Sequence, residues 1–179
     1  MALKAIIFKV ELKIADIDRN YYADHALTLA RHPSETDERM MVRLLAFALN
    51  ASDALQFGPG LSSEDEPDLV EKDLTGQIEL WIDVGLPDGR SIRKACGRAK
   101  EVKVFAYGGR AASLWYEQNR DAFERLANLS VVELPAEATR ALGAMAQRSM
   151  RLQFTIQDGL VWIDDGNMHV QVQPAQRRP

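Results

Sequence analysis

Alternation of apolar and polar positions marks both ends of the chain. Apolar side chains fill every second position of the first such run, and the pattern repeats after a polar turn at 16–20. Because successive residues of a strand point to opposite faces, residues 3–30 are predicted to form a long antiparallel hairpin. Three further alternating runs within 152–172 are separated by turn residues and predict a β-meander. The last residues, 173–179, are expected to be frayed.

The middle of the chain mixes helical and strand periods. Its first helix should begin within 33–37, with Ser34 as the N-cap and Asp37 as the acid of a capping box. Two strands joined by one helix are usually parallel, so this part is predicted to be an α/β unit. The acidic stretch 62–73 is interpreted as a solvated loop. The patterns predict that the first helix ends near Asn50, that further helices span 89–100, 110–126 and 136–148, and that strands span 55–57, 77–85, 102–107 and 129–134.

Composition narrows the class of protein. The 179 residues are 46% hydrophobic and 27% charged, which is typical of a globular chain with a real core. The net charge of -4 means that a nucleic-acid partner would have to meet a local basic patch. A single cysteine, Cys96, excludes an internal disulfide and fits a cytoplasmic location. No signal peptide or membrane-spanning stretch is recognised, and one α/β domain over 1–179 is predicted, with a mixed sheet.

The strand at 77–85 carries two carboxylates on one face. Glu79 and Asp83 point the same way as Trp81, but four residues of strand separate them by about 13 Å. A divalent cation needs several oxygens within about 2.0–2.6 Å, so the two acids cannot hold one ion alone. Asp73 precedes Asp83 by ten residues, a distance over which a short hairpin can fold back on itself; the other interpretation of Glu79 and Asp83 is exposed acids on a solvated strand. The acids that could complete a metal site are Glu35, Glu38, Asp65, Asp68 and Asp73.

A basic helix face follows this strand. At helical spacing the apolar side chains of 89–100 fall opposite the cations, with Cys96 among the buried ones. Such a face can contact phosphates or balance an acidic site, and the alternative is a solvated face without a partner. The cations that share the face are Arg90, Arg93, Lys94, Arg98 and Lys100.

Several short runs together resemble the YaeQ family of bacterial proteins, nearly end to end. They are Met1–Ala5, Leu29–Thr36, Glu38–Met41, Trp81–Pro87, Arg93–Ala95, Arg110–Ala111, Asn128–Val131 and Thr155–Gly159. The resemblance implies a fold similar to the PD-(D/E)XK nuclease superfamily, flanked here by the terminal antiparallel strands. In that superfamily, acids on the first core helix and on the strands hold Mg²⁺ for phosphodiester hydrolysis, and a lysine polarises the attacking water.

Carried over to this chain, the resemblance makes Glu38 and Asp83 the catalytic metal ligands. Glu79 becomes a ligand or general base, and Lys94 an electrostatic stabiliser in place of the strand lysine. That lysine is missing, because Gly85 follows Asp83 by two residues and Trp81 follows Glu79 by two. For the superfamily's Pro-Asp aspartate, Asp68 in Pro67-Asp68 matches the letters, and Asp73 matches the spacing better.

Two functions therefore follow from the sequence. One is a Mg²⁺-dependent nuclease or phosphodiesterase. The other is a non-catalytic nucleic-acid- or protein-binding module on a degenerate nuclease fold, which would bind through Arg93, Lys94 and Arg98. Nucleic acid is a candidate partner in both functions, and a protein is the alternative partner in the second. No membrane association is expected, and the sequence leaves open whether the protein is an enzyme and how it oligomerises.

Overall fold

The computed structural model describes residues 4–59 and 65–177. Contacts divide the chain into two compact units, one formed by 1–49 with 137–174 and the other by 50–136 with 175–179. The prediction of one domain over the whole chain stays a prediction.

The described residues form two mixed sheets and four helices, which confirms the mixed α/β class at this level. Their order is β1 (Ile6–Asp16), β2 (Tyr21–Arg31), α1 (Asp37–Asn50), β3 (Leu55–Phe57), β4 (Leu69–Lys72), β5 (Ile78–Val84), α2 (Gly89–Arg98), β6 (Ala99–Ala106), α3 (Arg110–Glu124), β7 (Leu129–Glu133), α4 (Ala136–Ala144), β8 (Ser149–Gln157), β9 (Leu160–Asp164), β10 (His169–Val172) and β11 (Ala175–Gln176). None of the described helices is both long and apolar enough to cross a membrane.

The first unit is built on a five-stranded sheet of order β10-β9-β8-β1-β2. The hairpin of β1 with β2 and the meander from β8 to β10 are both confirmed. The hairpin and the meander form one sheet because β1 pairs in parallel with β8, with Val10 opposite Met150. The buried face of this sheet collects the alternating apolar side chains Phe8, Val10, Leu12, Ile14, Leu152, Phe154, Ile156, Val161 and Ile163.

Helix α1 begins later than Ser34 predicts. The hydroxyl of Thr36 accepts the amide of Arg39 at 3.0 Å, so Thr36 is the N-cap. The predicted cap was wrong because the Ser34 hydroxyl is held by the His32 ring at 2.6 Å. From Met40 to Ala48 every residue of α1 is buried, including Arg43, rather than one stripe as predicted.

The second unit carries a six-stranded sheet of order β11-β7-β6-β5-β4-β3. Strands β5, β6 and β7 are parallel, as the intervening helices predict, while β3 and β4 form an antiparallel meander with β5. One face of the parallel strands packs against α2 and α3. The core there includes Trp81, Ile92, Ala95, Val102, Val104, Trp115, Tyr116, Phe123 and Val131.

Three further predictions of local structure were wrong. The acidic stretch 62–73 contains strand β4, whose buried Leu69 lies opposite Ile82 of β5; positions 62–64 lie outside the described residues. The C-terminal segment is anchored through β11 against β7, and the Tyr116 hydroxyl donates to the carbonyl of Arg177 at 3.1 Å. Lys100 belongs to β6 and not to the basic helix.

Candidate functional site

Asp83 of β5 lies on the face that packs against helices, not on an open sheet face. Trp81, which shares this face with Asp83, is 2% exposed and part of the core beneath α2 and α3. Glu79 lies where the pairing of β4 with β5 shifts register. Near the start of β5, Glu79 accepts a hydrogen bond from Lys100 Nζ at 2.7 Å. This ion pair raises the pKa of Lys100, mainly through the hydrogen bond to Glu79. Glu79 is therefore neutralised by a neighbouring strand.

Asp68 lies at the other end of β5, beside Asp83. It immediately precedes β4, is 7% exposed, and its Oδ2 accepts the amide of Val84 at 2.7 Å. Because β4 and β5 are antiparallel with Leu69 opposite Ile82, the acid before β4 reaches the residues that end β5. The structure thus brings together the two acids at positions 68 and 83.

Asp73 is not brought to this end of the strand, so the candidate pairing of Asp73 with Asp83 through a hairpin was wrong. Its Oδ1 accepts the amide and the hydroxyl of Thr75, at 2.8 and 2.6 Å, and the amide of Gln77 at 3.0 Å. The Thr75 hydroxyl is the main cause that lowers the pKa of Asp73. Asp73 caps the turn between β4 and β5, at the opposite end of β5 from Asp83.

The acids of the first helical region lie in the first unit and have local partners there. Glu38 is at the start of α1, and its Oε2 accepts from the Thr139 hydroxyl of α4 at 3.1 Å. Glu35 is 3% exposed and is held by two arginines, Arg39 at 2.6 Å and Arg43 at 2.6 and 2.9 Å. An acid neutralised in this way organises the protein and is a poor metal ligand.

Within residues 4–59 and 65–177, no three side chains of His, Cys, Asp or Glu are grouped so that they could hold a metal ion. Glu38 and Asp83, the predicted metal ligands, belong to different compact units. The Mg²⁺ site implied by the family resemblance remains a proposal.

Helix α2 presents the basic face that the sequence predicts. Asp88 caps its N-terminus by accepting the amide of Ser91 at 2.8 Å, and this bond is the main cause that lowers the pKa of Asp88. Ile92 and Ala95 are buried against the sheet, and Cys96 is partly buried beside them. The side chains of the opposite face are exposed: Arg90, Arg93, Lys94 and Arg98.

A pocket opens beside this face. It has a volume of about 300 Å³ and is lined by Trp81, Ser91, Lys94, Gly97, Arg98 and Asp65 among others. The guanidinium carbon of Arg98 lies over the Trp81 ring at 4.9 Å from its centroid, and Arg98 Nη1 donates to the carbonyl of Asp65 at 2.8 Å. Lys94 Nζ lies 3.8 Å from the Asp65 carboxylate.

Sequence reasoning missed this pocket. Trp81 is a core residue, and no spacing signal in the sequence connects a strand tryptophan with an arginine seventeen positions later. The sequence signal that points toward the pocket is that Trp81 lies in a strand that is followed directly by the basic helix.

Comparison with known proteins adds a family. A family model described as YaeQ protein matches residues 1–174. The chain belongs to the YaeQ family. It is 51% identical over 174 residues to the "Uncharacterized protein YaeQ" of Salmonella typhi, covering 97% of this chain and 96% of that protein. It is 50% identical over 173 residues to the protein of the same name from Escherichia coli strain K12, covering 96% and 95%.

Solved YaeQ structures have the same fold. The crystal structure of the YaeQ protein from Xanthomonas axonopodis pv. citri matches with a TM-score of 0.95 and 53% identity, over 97% of this chain and 98% of that one. The YaeQ protein from Pseudomonas syringae matches with a TM-score of 0.93 and 34% identity, over 98% and 97%. These names state no activity.

Proposed function

We propose that this YaeQ protein binds nucleic acid without cleaving it, through the basic face of α2. The observation that carries the proposal is that Arg90, Arg93, Lys94 and Arg98 are all exposed on one helix of a chain whose net charge is -4. In the described part of the chain, Arg93 makes no hydrogen bond or ion pair, so its charge is available to a phosphate. Cations that neutralise phosphates release counterions, which supplies the affinity.

The state of the candidate acids supports binding over catalysis. Glu79 is paired with Lys100, Glu35 with two arginines, and Asp73 is committed to a turn. Carboxylates that are already neutralised or hydrogen-bonded have little left for a cation that requires several oxygens at once.

The test is the salt dependence of binding. We expect labelled single-stranded DNA, double-stranded DNA or RNA to bind, with an affinity that falls as salt rises. Reversing Arg93, Lys94 and Arg98 to glutamate should weaken binding strongly and reduce the slope of log K against log salt by about 2–3, because each lost phosphate contact removes roughly 0.7–0.9. The matched control reverses three exposed cations of the first unit, Lys9, Lys13 and Arg151.

The control carries the same change in net charge, so a non-specific effect of charge would appear in both variants. Equal loss of affinity in both variants, or an affinity that does not change with salt, would overturn the assignment of nucleic-acid binding to α2.

A second function, Mg²⁺-dependent phosphodiester hydrolysis, is favoured by one specific observation. Asp68 and Asp83 lie at adjoining strand ends, with Asp68 bonded to the amide of Val84. The order α1, β3, β4, β5, α2, β6, with an antiparallel meander and a parallel final strand, supports a likeness to the PD-(D/E)XK core. Pro67-Asp68 then supplies the Pro-Asp aspartate, with Asp83 as a further ligand, Glu79 as ligand or base, and Lys94 as the stabilising cation.

This hypothesis predicts cleavage of DNA or RNA in the presence of Mg²⁺ or Mn²⁺, abolished in Asp83→Asn while the thermal unfolding midpoint is retained. Binding with no cleavage of any of the three substrate types would leave the non-catalytic function standing and exclude the hydrolytic one.

A further inference from the structure

Strand β2 is the one long sheet edge in the described part of the chain. It ends the five-stranded sheet, where β1 is its neighbour, and it runs for eleven residues, Tyr21–Arg31. The other three edges that the structure describes, β10, β3 and β11, have four, three and two residues. Proteins usually keep exposed edges short, because a row of unpaired N–H and C=O groups is a template for another strand. Strand β2 therefore differs from the three short, protected edges.

The other devices that protect a long edge are absent from β2. Its eleven residues include no proline and no lysine, and its register with β1 continues from end to end without a bulge. Proline, lysine and bulges are what natural edge strands use to prevent pairing. The side chains on the open face of the sheet are exposed along the whole strand: Tyr22, Asp24, Ala26, Thr28 and Ala30.

The hydrogen-bond ladder shows which residues of β2 turn their backbone outward. The amide of Lys9 donates to the carbonyl of Arg148, just before β8, at 2.9 Å. The odd residues of β1 therefore bond toward β8 and the even ones toward β2, where odd residues lie opposite them. The even residues of β2 are left to direct N–H and C=O to the open edge. At one end this is seen directly, because Arg43 Nη2 donates to the carbonyl of Ala30 at 3.1 Å.

Two copies of this edge fit each other in antiparallel orientation. Ala26 is the midpoint of β2, so a two-fold axis at Ala26 keeps all five outward residues within the ladder. Asp24 then lies opposite Thr28 of the second copy, which pairs an acid with a hydroxyl donor. Tyr22 lies opposite Ala30, and two alanine methyls meet at the axis. An axis at Asp24 would instead set two acids directly opposite each other, which is destabilising.

A second copy suits this edge because the pairing closes. A two-fold axis uses the same edge on both copies, so two five-stranded sheets become one that ends in β10 on both sides. Those ends have four residues each and offer little to a third copy. One strand from each copy makes a small interface, below about 1,200 Å², so the dimer should be reversible, with a dissociation constant on the order of 10 µM.

We propose that β2 is a self-association edge, at which two copies of this chain pair antiparallel about Ala26 into one continuous sheet. Main-chain hydrogen bonds of the outward residues supply the affinity, as in other cases of strand addition. The small side chain at the axis lets the two strands approach. This self-association does not depend on nucleic-acid binding by α2.

The first experiment uses the unaltered chain. Amide hydrogen exchange is measured residue by residue, at concentrations about tenfold below and tenfold above the expected dissociation constant. We expect the outward amides of Asp24, Ala26 and Thr28 to exchange about 4-fold more slowly at the higher concentration, because the monomer fraction falls by that factor. The amides of His25 and Leu27, which bond to β1, should be protected equally at both. Equal exchange of the outward amides at both concentrations, or the same response of odd and even residues, overturns the proposal.

The second experiment places charges at the axis and follows association by sedimentation equilibrium. Ala26→Lys and Ala26→Glu each set like charges opposite each other, so each alone should stay monomeric where the parent chain is mostly dimeric. An equimolar mixture of the two should associate again, because lysine then faces glutamate. Both substitutions change an exposed side chain, and the thermal unfolding midpoint verifies that the variants fold.

The matched control is Gln171→Lys on β10, the short edge of the same sheet. It adds the same charge at an exposed position and should dimerise like the parent; equal loss in Gln171→Lys and Ala26→Lys would overturn the proposal. A parent chain that stays monomeric, or that grows beyond a dimer, would also overturn it. So would a tighter dimer of Ala26→Lys, which would pair position 26 with Asp24, or a mixture of the two charge variants that stays monomeric. The exchange experiment decides the matter if a variant does not fold.

Discussion

Glu35 and Arg43 form an ion pair that is buried at both ends. Two bonds of 2.9 and 2.6 Å join them, and their side chains are 1% and 3% exposed. Arg43 also donates to the carbonyl of Ala30 at 3.1 Å, and Arg31 donates to the carbonyl of Glu35 at 2.6 Å, so the pair connects the end of β2 to α1. Glu35 belongs to the Leu29–Thr36 run that resembles the YaeQ family, and its role in the structure is to join β2 to α1.

Removing one partner of this pair should destabilise the first unit strongly. Glu35→Gln removes the carboxylate that faces Arg43 and Arg39 in the buried pair, and we expect the free energy of unfolding in urea to fall by about 3–5 kcal/mol. The control is Arg151→Ala, whose pair with Glu11 at 3.0 Å is 86% and 67% exposed and should contribute about 0–1 kcal/mol. Similar losses in both variants would contradict a buried role for Glu35.

Asp68 should be needed for stability through its backbone contact. In Asp68→Ala the buried amide of Val84 loses its acceptor, and the free energy of unfolding should fall by about 1–3 kcal/mol, with faster amide exchange at Val84. Asp68→Asn retains a carbonyl oxygen and should lose less. Asp65→Ala is the exposed control, expected within about 0.5 kcal/mol of the parent protein. Unchanged exchange at Val84 in Asp68→Ala would exclude the contact.

Two helical glycines should respond to alanine in opposite directions. A Cβ at Gly143 of α4 would come within 3.0 Å of Glu38 Cα and 3.2 Å of Glu38 N, so the backbones of α4 and α1 would have to separate. Gly143→Ala should cost about 1–3 kcal/mol of unfolding free energy. At Gly97 of α2 a Cβ would meet nothing within 4 Å, and Gly97→Ala should stabilise by up to about 1 kcal/mol.

Calorimetry or urea titration of the two variants decides this point. A stabilised Gly143→Ala would mean that α4 and α1 have room to adjust, and that the close approach of Gly143 to Glu38 is not required.

The turn acid Asp73 gives a prediction for pH. Its pKa is lower in the folded chain than in the unfolded one, so its ionised form stabilises the fold above its ordinary range near pH 4, and that contribution is lost as the pH falls through the lowered value. Thr75→Val removes the hydroxyl that is the main cause. We expect the Asp73 pKa, followed by NMR titration of its side-chain carbonyl, to move up toward its ordinary value. No movement would show that the two backbone amides alone hold the carboxylate.

The sequence by itself determined the local elements with strong periods. Alternation predicted β1, β2, β5 and the C-terminal meander, because one buried face leaves a period of two in the residues, and the amphipathic pattern predicted all four helices to within a few positions. The basic face of α2 was also predicted from the sequence, since helical spacing alone places Arg93, Lys94 and Arg98 on the face opposite the buried residues. Where local signals compete, prediction was weaker: Ser34 and Thr36 are both good caps, and the bond between the Ser34 hydroxyl and the His32 ring leaves Thr36 as the cap.

Tertiary structure decided everything that depends on pairing between distant segments. The parallel join of β1 to β8 and the edge strand β11 leave no local mark, because a partner strand tens of positions away or more contributes nothing to a local period. The acidic residues around β4 mask its strand pattern in the sequence. Only the pairing of β4 with β5 shows that Leu69 is a buried strand residue. The same reason applies to the site: register placed Asp68 rather than Asp73 beside Asp83, and packing of α2 on β5 set Arg98 over Trp81, leaving a buried indole N–H without an acceptor in the described chain.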